Sequence, residues 1–372
     1  MEEWEKVCTI ALNKIFTYNP EGARDLVEQA GSAAKVFEFL GDKLPKTTNN
    51  QENKKEVATT DKLLEEAYKE LEWARQNDIE LLFAYDKEGD YPERLLMCND
   101  FPLLLYKRGN LTLNQSKVLG IVGTRRATSY GKSILDKIVE EVSDTIPGTA
   151  IVSGLAYGID IEAHLAAMKY KLPTFAILGC APDKVYPASH SSHAKKIISQ
   201  GALVTEFPRK SEGYKINFLR RNRIIAGLCD AIIMVESGIK GGSTITASLA
   251  MGYNREVFAV PGRVTDSMSQ GCNYLISENR ASIFTSVKKI AEVIGWDYLS
   301  HSSEPKQKEL FGPNSKEKEK ILLALESNDR LDIGSLVSLT GISASNLLGH
   351  LLELELDGKI ASLPGKRYSV FK

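Results

Sequence analysis

From Lys117 the chain alternates short apolar runs with helical stretches. The runs are VLGIVG, TAIVSG, TFAILG, ALVTEF, DAIIMVE and REVFAVPG. They are continuous rather than alternating, so both faces must be covered, which predicts a parallel sheet with helices on each side. We expect a Rossmann-like α/β domain over about residues 112–298. Upstream, GARDLVEQAGSAAKVFEFLG has the spacing of two short helices divided at Gly31-Ser32, with Ser32 as N-cap. The polar stretch 42–60 reads as a loop or linker, followed by a helix of about 15 residues ending near Asp78 and a short strand, IELLFAY. YPERLLMCNDFPLLLYKRGN, punctuated by Pro92 and Pro102, predicts an extended connector packed on a core. Beyond the polar stretch HSSEPKQKELFGPNSKEKE, three helical segments and a hairpin predict a winged helix, with Gly341 at the helix-turn-helix turn. The expected division is therefore an N-terminal helical domain with its polar linker (1–84), the connector and Rossmann-like domain (85–298), a linker (299–315) and the winged helix (316–372).

The length of 372 residues also asks for two or three domains. Hydrophobic residues make up 43% and charged residues 26%, as in soluble globular chains. A formal net charge of −1 means that a polyanion would have to be held by local patches. The five cysteines are scattered with no CxxC pair, which argues against a zinc ribbon or disulfide framework. MEEWEKVCTI carries acids where a signal peptide needs cations, and no apolar run is long enough to span a bilayer. We expect a cytoplasmic protein with no membrane association.

The densest cationic patch is in FLRRNRIIAGLCD, whose arginines end a Lys- and Arg-rich stretch from Arg209 to Arg223 with one acid, Glu212. Its arginines are expected to look outward while IIAG docks the same segment on the sheet. Glycine-rich strand-to-helix loops supply companion anion sites, because exposed N–H groups and a helix N-terminus suit phosphate. GIVGTRRATSYGKS is neither GxGxxG nor GxxxxGKS and so lacks a nucleotide fingerprint, but it places Arg125 and Arg126 in the turn. SGLAYGIDIEAH turns at Gly154 and Gly158, and ESGIKGGSTITAS offers Gly241, Gly242 and Ser243 at a helix start. Lys184 adds charge in GCAPDKVYPASHSSHAKK. Several such loops on one sheet edge, with Phe218 and Tyr214 as available rings, suit single-stranded nucleic acid better than a single nucleotide.

Other chemistries fit less well. Ser153, Asp160 and His164 do not make a triad, since Asp160 and His164 are four apart on one helix and no nucleophile elbow is present. His190 and His193 have no further ligand-type residues clustered with them, so no metal is expected. No cofactor and no catalytic residue are assigned.

These motifs resemble the DNA-processing protein DprA (Smf) family. IVGTRRATSYG, IVSGLAYGIDIEAH, FLRRNRIIAGLCD, and REVFAVPG with SQGCNYLI follow its order and spacing across about residues 85–295. The resemblance implies a sterile-alpha-motif-like (SAM-like) N-terminal domain, a homodimer, single-stranded DNA binding in natural transformation, and loading of the RecA recombinase. It assigns DNA contacts to Arg125, Phe218, Arg221, Asn222, Arg223 and Gly241 to Ser243. His190 stands where the family often has Asn. The alternative is a phosphoribohydrolase-like Rossmann enzyme with a PGGxGTxxE loop, but IKGGSTITAS places Ala247 and Ser248 where a catalytic glutamate is wanted. A transcription factor is weaker still, because the candidate recognition helix SASNLLGHLLELELDG has no Lys or Arg and carries Glu353, Glu355 and Asp357.

Overall fold

The computed structural model describes residues 1–44, 59–211, 214–299, 315–328, 330–357, 359–363 and 367–370. Residues 1–300 form one compact unit and 301–372 another. Much of the expected loop at 42–60 and of the expected linker at 299–315 lies outside the described residues.

The N-terminal helices are α1 (Glu3–Ile15), α2 (Pro20–Ala30), α3 (Ala33–Leu40) and α4 (Thr60–Gln76). Ser32 caps α3 as its sequence position suggests, and Glu5 of α1 also accepts from the Ala33 and Ala34 N–H groups at 2.6 and 2.9 Å. The chain then forms β1 (Glu80–Phe83), the short helix α5 (Glu93–Leu96) and β2 (Leu104–Arg108). The segment expected to be an extended connector thus contributes a strand. β2 pairs antiparallel with β1, so the expected boundary at 84/85 falls between two paired strands. Leu104 and Tyr106 face the N-terminal helices while Leu105 faces the central core, the alternation that a two-sided strand requires.

All six apolar runs are strands: β3 (Lys117–Gly123), β4 (Thr149–Ser153), β5 (Thr174–Ile177), β6 (Gly201–Thr205), β7 (Ala231–Val235) and β8 (Glu256–Ala259). A two-residue edge strand, β9 (Ser282–Ile283), completes a nine-stranded sheet of order β1-β2-β6-β5-β4-β3-β7-β8-β9. From β6 to β9 every neighbouring pair is parallel, and β2 joins β6 antiparallel. Helices α6 (Ser129–Thr145), α7 (Ile159–Lys169), α8 (Ser191–Gln200) and α12 (Val287–Ile294) supply the cores of one face. Helices α9 (Lys215–Leu228), α10 (Gly242–Gly252) and α11 (Gln270–Ser277) cover the other, with α5. The strand order runs outward from β3 to β4, β5 and β6, then reverses to β7 on the opposite side. The carboxyl ends of β3 and β7 therefore open a crevice at a topological switch point, where α/β sheets of this kind receive ligands.

The second unit contains α13 (Ser315–Glu326), β10 (Leu331–Asp332), α14 (Ile333–Thr340), α15 (Ala344–Leu356), β11 (Ile360–Leu363) and β12 (Arg367–Val370). Its antiparallel sheet has the order β10-β12-β11, and Gly341 ends α14 with φ 69°, the left-handed backbone that a tight helical turn needs. This is the expected winged helix, although the wing tip at 364–366 lies outside the described residues.

Candidate nucleic-acid interface

A groove of about 650 Å³ opens at the switch point. Its walls come from the loops after β3, β4 and β7, from α9 and from the start of α10. Backbones approach closely here: a Cβ on Gly123 would lie 2.0 Å from the Val235 carbonyl, and one on Gly158 (φ 75°) 2.2 Å from the Thr124 carbonyl. Leu155 and Glu236, at the ends of β4 and β7, hold left-handed backbone at φ 57° and 54°. For residues with side chains this conformation is unfavourable, and buried surroundings must impose it. Glu236 is tied down by its carboxylate, which accepts from the backbone N–H of Thr128 at 2.9 Å and from its hydroxyl. Its carbonyl accepts from the Thr124 N–H at 2.8 Å. The Arg125–Arg126 turn is thereby held between two anchors on Glu236, the residue that follows β7.

Arg125 and Arg126 are exposed on this turn and line the groove with Lys240. Among the described residues, none of these side chains makes a hydrogen bond or ion pair. Opposite them, Gly241 is the N-cap of α10 and supplies no side-chain cap, so the helix's first N–H groups and its dipole face the groove. Ser243 is buried, its hydroxyl donating to Ser237 at 2.7 Å. Gly241, Gly242 and Ser243 all line the groove.

Helix α9 places its residues differently from the expectation that the arginines look outward. Successive side chains on a helix are about 100° apart, so four consecutive positions cannot share one face. Arg221 is 4% exposed, lines the groove and donates to the Ile177 carbonyl, while its Nε has no hydrogen-bond partner among the described residues. Asn222 is also buried and groove-lining. Arg223 points to the rear, where it pairs with buried Glu206 and donates to the Asp100 carbonyl. It is not part of the groove. Arg220 lies over the Tyr18 ring at 5.4 Å and donates to the Tyr18 carbonyl, while the Tyr18 hydroxyl donates to Asn217 at 3.1 Å. The N-terminal helical region thus grips the back of the helix whose front lines the groove.

The remaining sequence candidates sort clearly. Phe218 is half-buried and lines the groove. Gly154 lies behind Arg221 rather than in the lining. Lys184 is exposed on the loop after β5, outside the groove wall. Sequence reasoning did not single out Lys240, whose signal was a cation inside a glycine-rich turn. In the sequence Asp160 enters only as a rejected triad member. Asp160 is buried, lines the groove and has its pKa raised by burial, against which the Arg221 and Arg125 charges act. His164 is buried, with Nδ1 2.7 Å from the Thr174 hydroxyl, and takes no part in the groove. His190 Nδ1 donates to the Leu155 carbonyl at 2.9 Å. Among the described residues no group of three or more His, Cys, Asp or Glu side chains is placed to hold a metal ion. The groove offers cations, helix N–H groups and a ring, an arrangement suited to binding a chain of phosphates and bases.

Several known proteins are similar to this chain. The model of the DNA recombination-mediator protein A family matches residues 82–295, and that of the DprA winged helix domain matches 304–366. Protein Smf of Escherichia coli is 34% identical over 301 residues, covering 79% of this chain and 78% of the relative. The X-ray structure of DNA processing protein A from Streptococcus pneumoniae superposes with a TM-score of 0.61 at 27% identity, covering 76% of this chain and 95% of that one. A structure of DNA processing protein A from Helicobacter pylori, described for its single-stranded DNA binding mode, gives 0.52 at 29% identity, covering 58% and 98%. Among the described residues, no single helix is long and apolar enough to cross a membrane.

Proposed function

The chain belongs to the DNA recombination-mediator protein A (DprA) family, and from that premise and the geometry of its groove we propose that it binds single-stranded DNA at the switch point of its sheet. The observation that carries this reading is the convergence of unpaired Arg125, Arg126 and Lys240 with the uncapped start of α10 and the half-buried Phe218 ring. Phosphates would sit against the cations and helix N–H groups, with the buried Arg221 guanidinium adding positive charge beneath them. A base would lie on Phe218. Phosphate contacts give affinity without sequence preference, and stacking accepts any base.

In the cell, we infer, the protein works in the cytoplasm on incoming single strands during natural transformation, protecting them and delivering them to RecA recombinase. Family membership supports this reading. A homodimer fits the half-exposed Ile245, Met251, Tyr274 and Ile283 on α10, α11 and β9 at one end of the sheet, and two-fold pairing is the commonest closed symmetry. We infer a binding rather than a catalytic role. Ala247 and Ser248 occupy the positions where a phosphoribohydrolase-like loop would carry its glutamate, and the Ser248 hydroxyl donates to the Thr244 carbonyl. Among the described residues lining the groove, Asp160 is the one carboxylate, and it is buried beside Arg221.

The test is a titration of the full chain with single-stranded and double-stranded oligonucleotides of one length. Tighter binding of the single strand is expected, together with affinity that falls linearly on a log–log plot against salt. Equal affinity for both forms would overturn the reading.

A further inference from the structure

Two exposed tyrosines stand beside the groove. Tyr186, on the loop after β5, is 53% exposed, and its ring centroid lies 5.0 Å from that of Phe218 with the planes inclined at 53°. Tyr157, on the loop after β4, is 49% exposed. Its ring meets His190 edge-on at 5.0 Å, and its hydroxyl hydrogen-bonds that of Ser189 at 3.2 Å. His190 is fixed in turn by its bond to the Leu155 carbonyl. Both rings are therefore anchored on one side and open on the other.

Their placement follows the sheet. β4 and β5 succeed β3 in order, so the loops carrying Tyr157 and Tyr186 lie next along the carboxyl edge from the Arg125 turn. Ala156 and Asp160, which flank Tyr157 in sequence, line the groove, and Phe218 carries the lining to Tyr186. Lys184, exposed two residues before Tyr186, supplies a cation on the same loop.

We propose that Tyr186 and Tyr157 form a second stacking station for unpaired bases, continuing the strand's path from the Phe218 position across the ends of β4 and β5, with Lys184 beside the backbone. The proposal rests on the groove being the single-strand site. Rigid rings with one free face suit a flat π-surface. A duplex cannot supply one because its bases are stacked on each other. A strand that leaves the groove must unstack, and its bases then have faces to offer.

The test uses the full chain and two fluorescent probes of equal length, oligothymidylate and a strand with abasic sites through its central part. Tyr186→Ala and Tyr157→Ala are each expected to weaken oligothymidylate binding roughly fivefold or more. Both should leave the abasic strand bound as by the parent, and Tyr186→Phe should bind both probes like the parent. Arg125→Ala separates the two readings. If Arg125→Ala weakens binding and the tyrosine variants do not, the station is refuted and the groove stands. If Arg125→Ala also binds like the parent, the groove reading fails and the station with it. Equal loss on both probes would mean that the tyrosines only support the fold, which also refutes the station. Should an alanine variant not fold, Tyr186→Leu serves in its place: an apolar side chain without a π-face is expected to lose affinity for oligothymidylate alone, and parent-like binding by it would refute the station.

Discussion

Gly154 and Arg221 are matched by exclusion: a Cβ at residue 154 would lie 1.9 Å from Nη1 of Arg221 and 2.5 Å from its Cζ. The guanidinium occupies the space that a glycine leaves, and this is how a buried cation reaches the floor of the groove. Gly154→Ala should displace Arg221 and weaken single-strand binding about tenfold, the scale of a charge-assisted hydrogen bond. The double variant Gly154→Ala/Arg221→Ala should be no weaker than Arg221→Ala alone, because the glycine acts through the arginine. Additive losses in binding titrations would contradict that coupling.

The grip of the N-terminal helical region on α9 makes a second prediction. Tyr18 and Arg220 do not line the groove, yet they hold the helix that carries Phe218, Arg221 and Asn222. Tyr18→Phe removes one hydrogen bond, worth about 1 kcal/mol. Single-strand affinity should drop a few fold with an unchanged salt dependence, since no phosphate contact is lost. A changed salt slope would place Arg220 or its surroundings on the DNA.

His164 predicts a pH dependence of stability. The Thr174 hydroxyl donates to the Ile151 carbonyl at 3.0 Å, so His164 Nδ1 must carry the proton that bridges to that hydroxyl, and Nε2 is left buried with no partner among the described residues. Burial holds the imidazole down to about 3 from its ordinary 6.5, and the positive charge of Arg221 adds to the effect. The unfolded chain therefore takes up a proton below about 6.5 that the folded chain refuses until about 3. Stability falls across that window as pH drops, by at most about 1.4 kcal/mol per pH unit from this one group. Asp160 and Glu206, both raised by burial, act with the opposite sign but are shared with a His164→Asn variant. Denaturant titrations at pH 7, 6, 5 and 4 should show the parent losing more stability than the variant. Parallel losses would contradict the assignment.

The sheet was legible because a strand covered on both faces has to be apolar without interruption, and all six such runs are strands. β1 was legible too, as the short run IELLFAY; β2 and β9 were less so, being five and two residues long, and pairing across distant sequence decides them. Glycine-rich loops marked the groove because close backbone approach leaves no room for a Cβ. What local reading of charge could not supply was the destination of each arginine. Arg223 is neutralised by Glu206 and Asp100, which lie 17 and 123 residues away in sequence. Lys240, alone among glycines, carried too weak a signal to be singled out.

The winged helix should contribute little to single-strand affinity. Its recognition-position helix α15 carries Glu353 and Glu355 and no Lys or Arg, while residues 1–300 form a compact unit with their own cores. Truncation after residue 300 should leave oligonucleotide affinity within a few fold of the full chain. A loss of a hundredfold in the same titration would assign binding charge to the tail.

The most direct test of the groove is the slope of log affinity against log salt for oligothymidylate, measured for the parent, Arg125→Ala, Lys240→Ala and Arg223→Lys. Each phosphate contact on a single strand contributes about −0.7 to that slope. Arg125→Ala and Lys240→Ala should each flatten it by about that amount. Arg223→Lys, which keeps a cation against buried Glu206 and away from the groove, should leave it unchanged. Parent-like slopes for both groove variants, or a flattened slope for Arg223→Lys, would contradict the account.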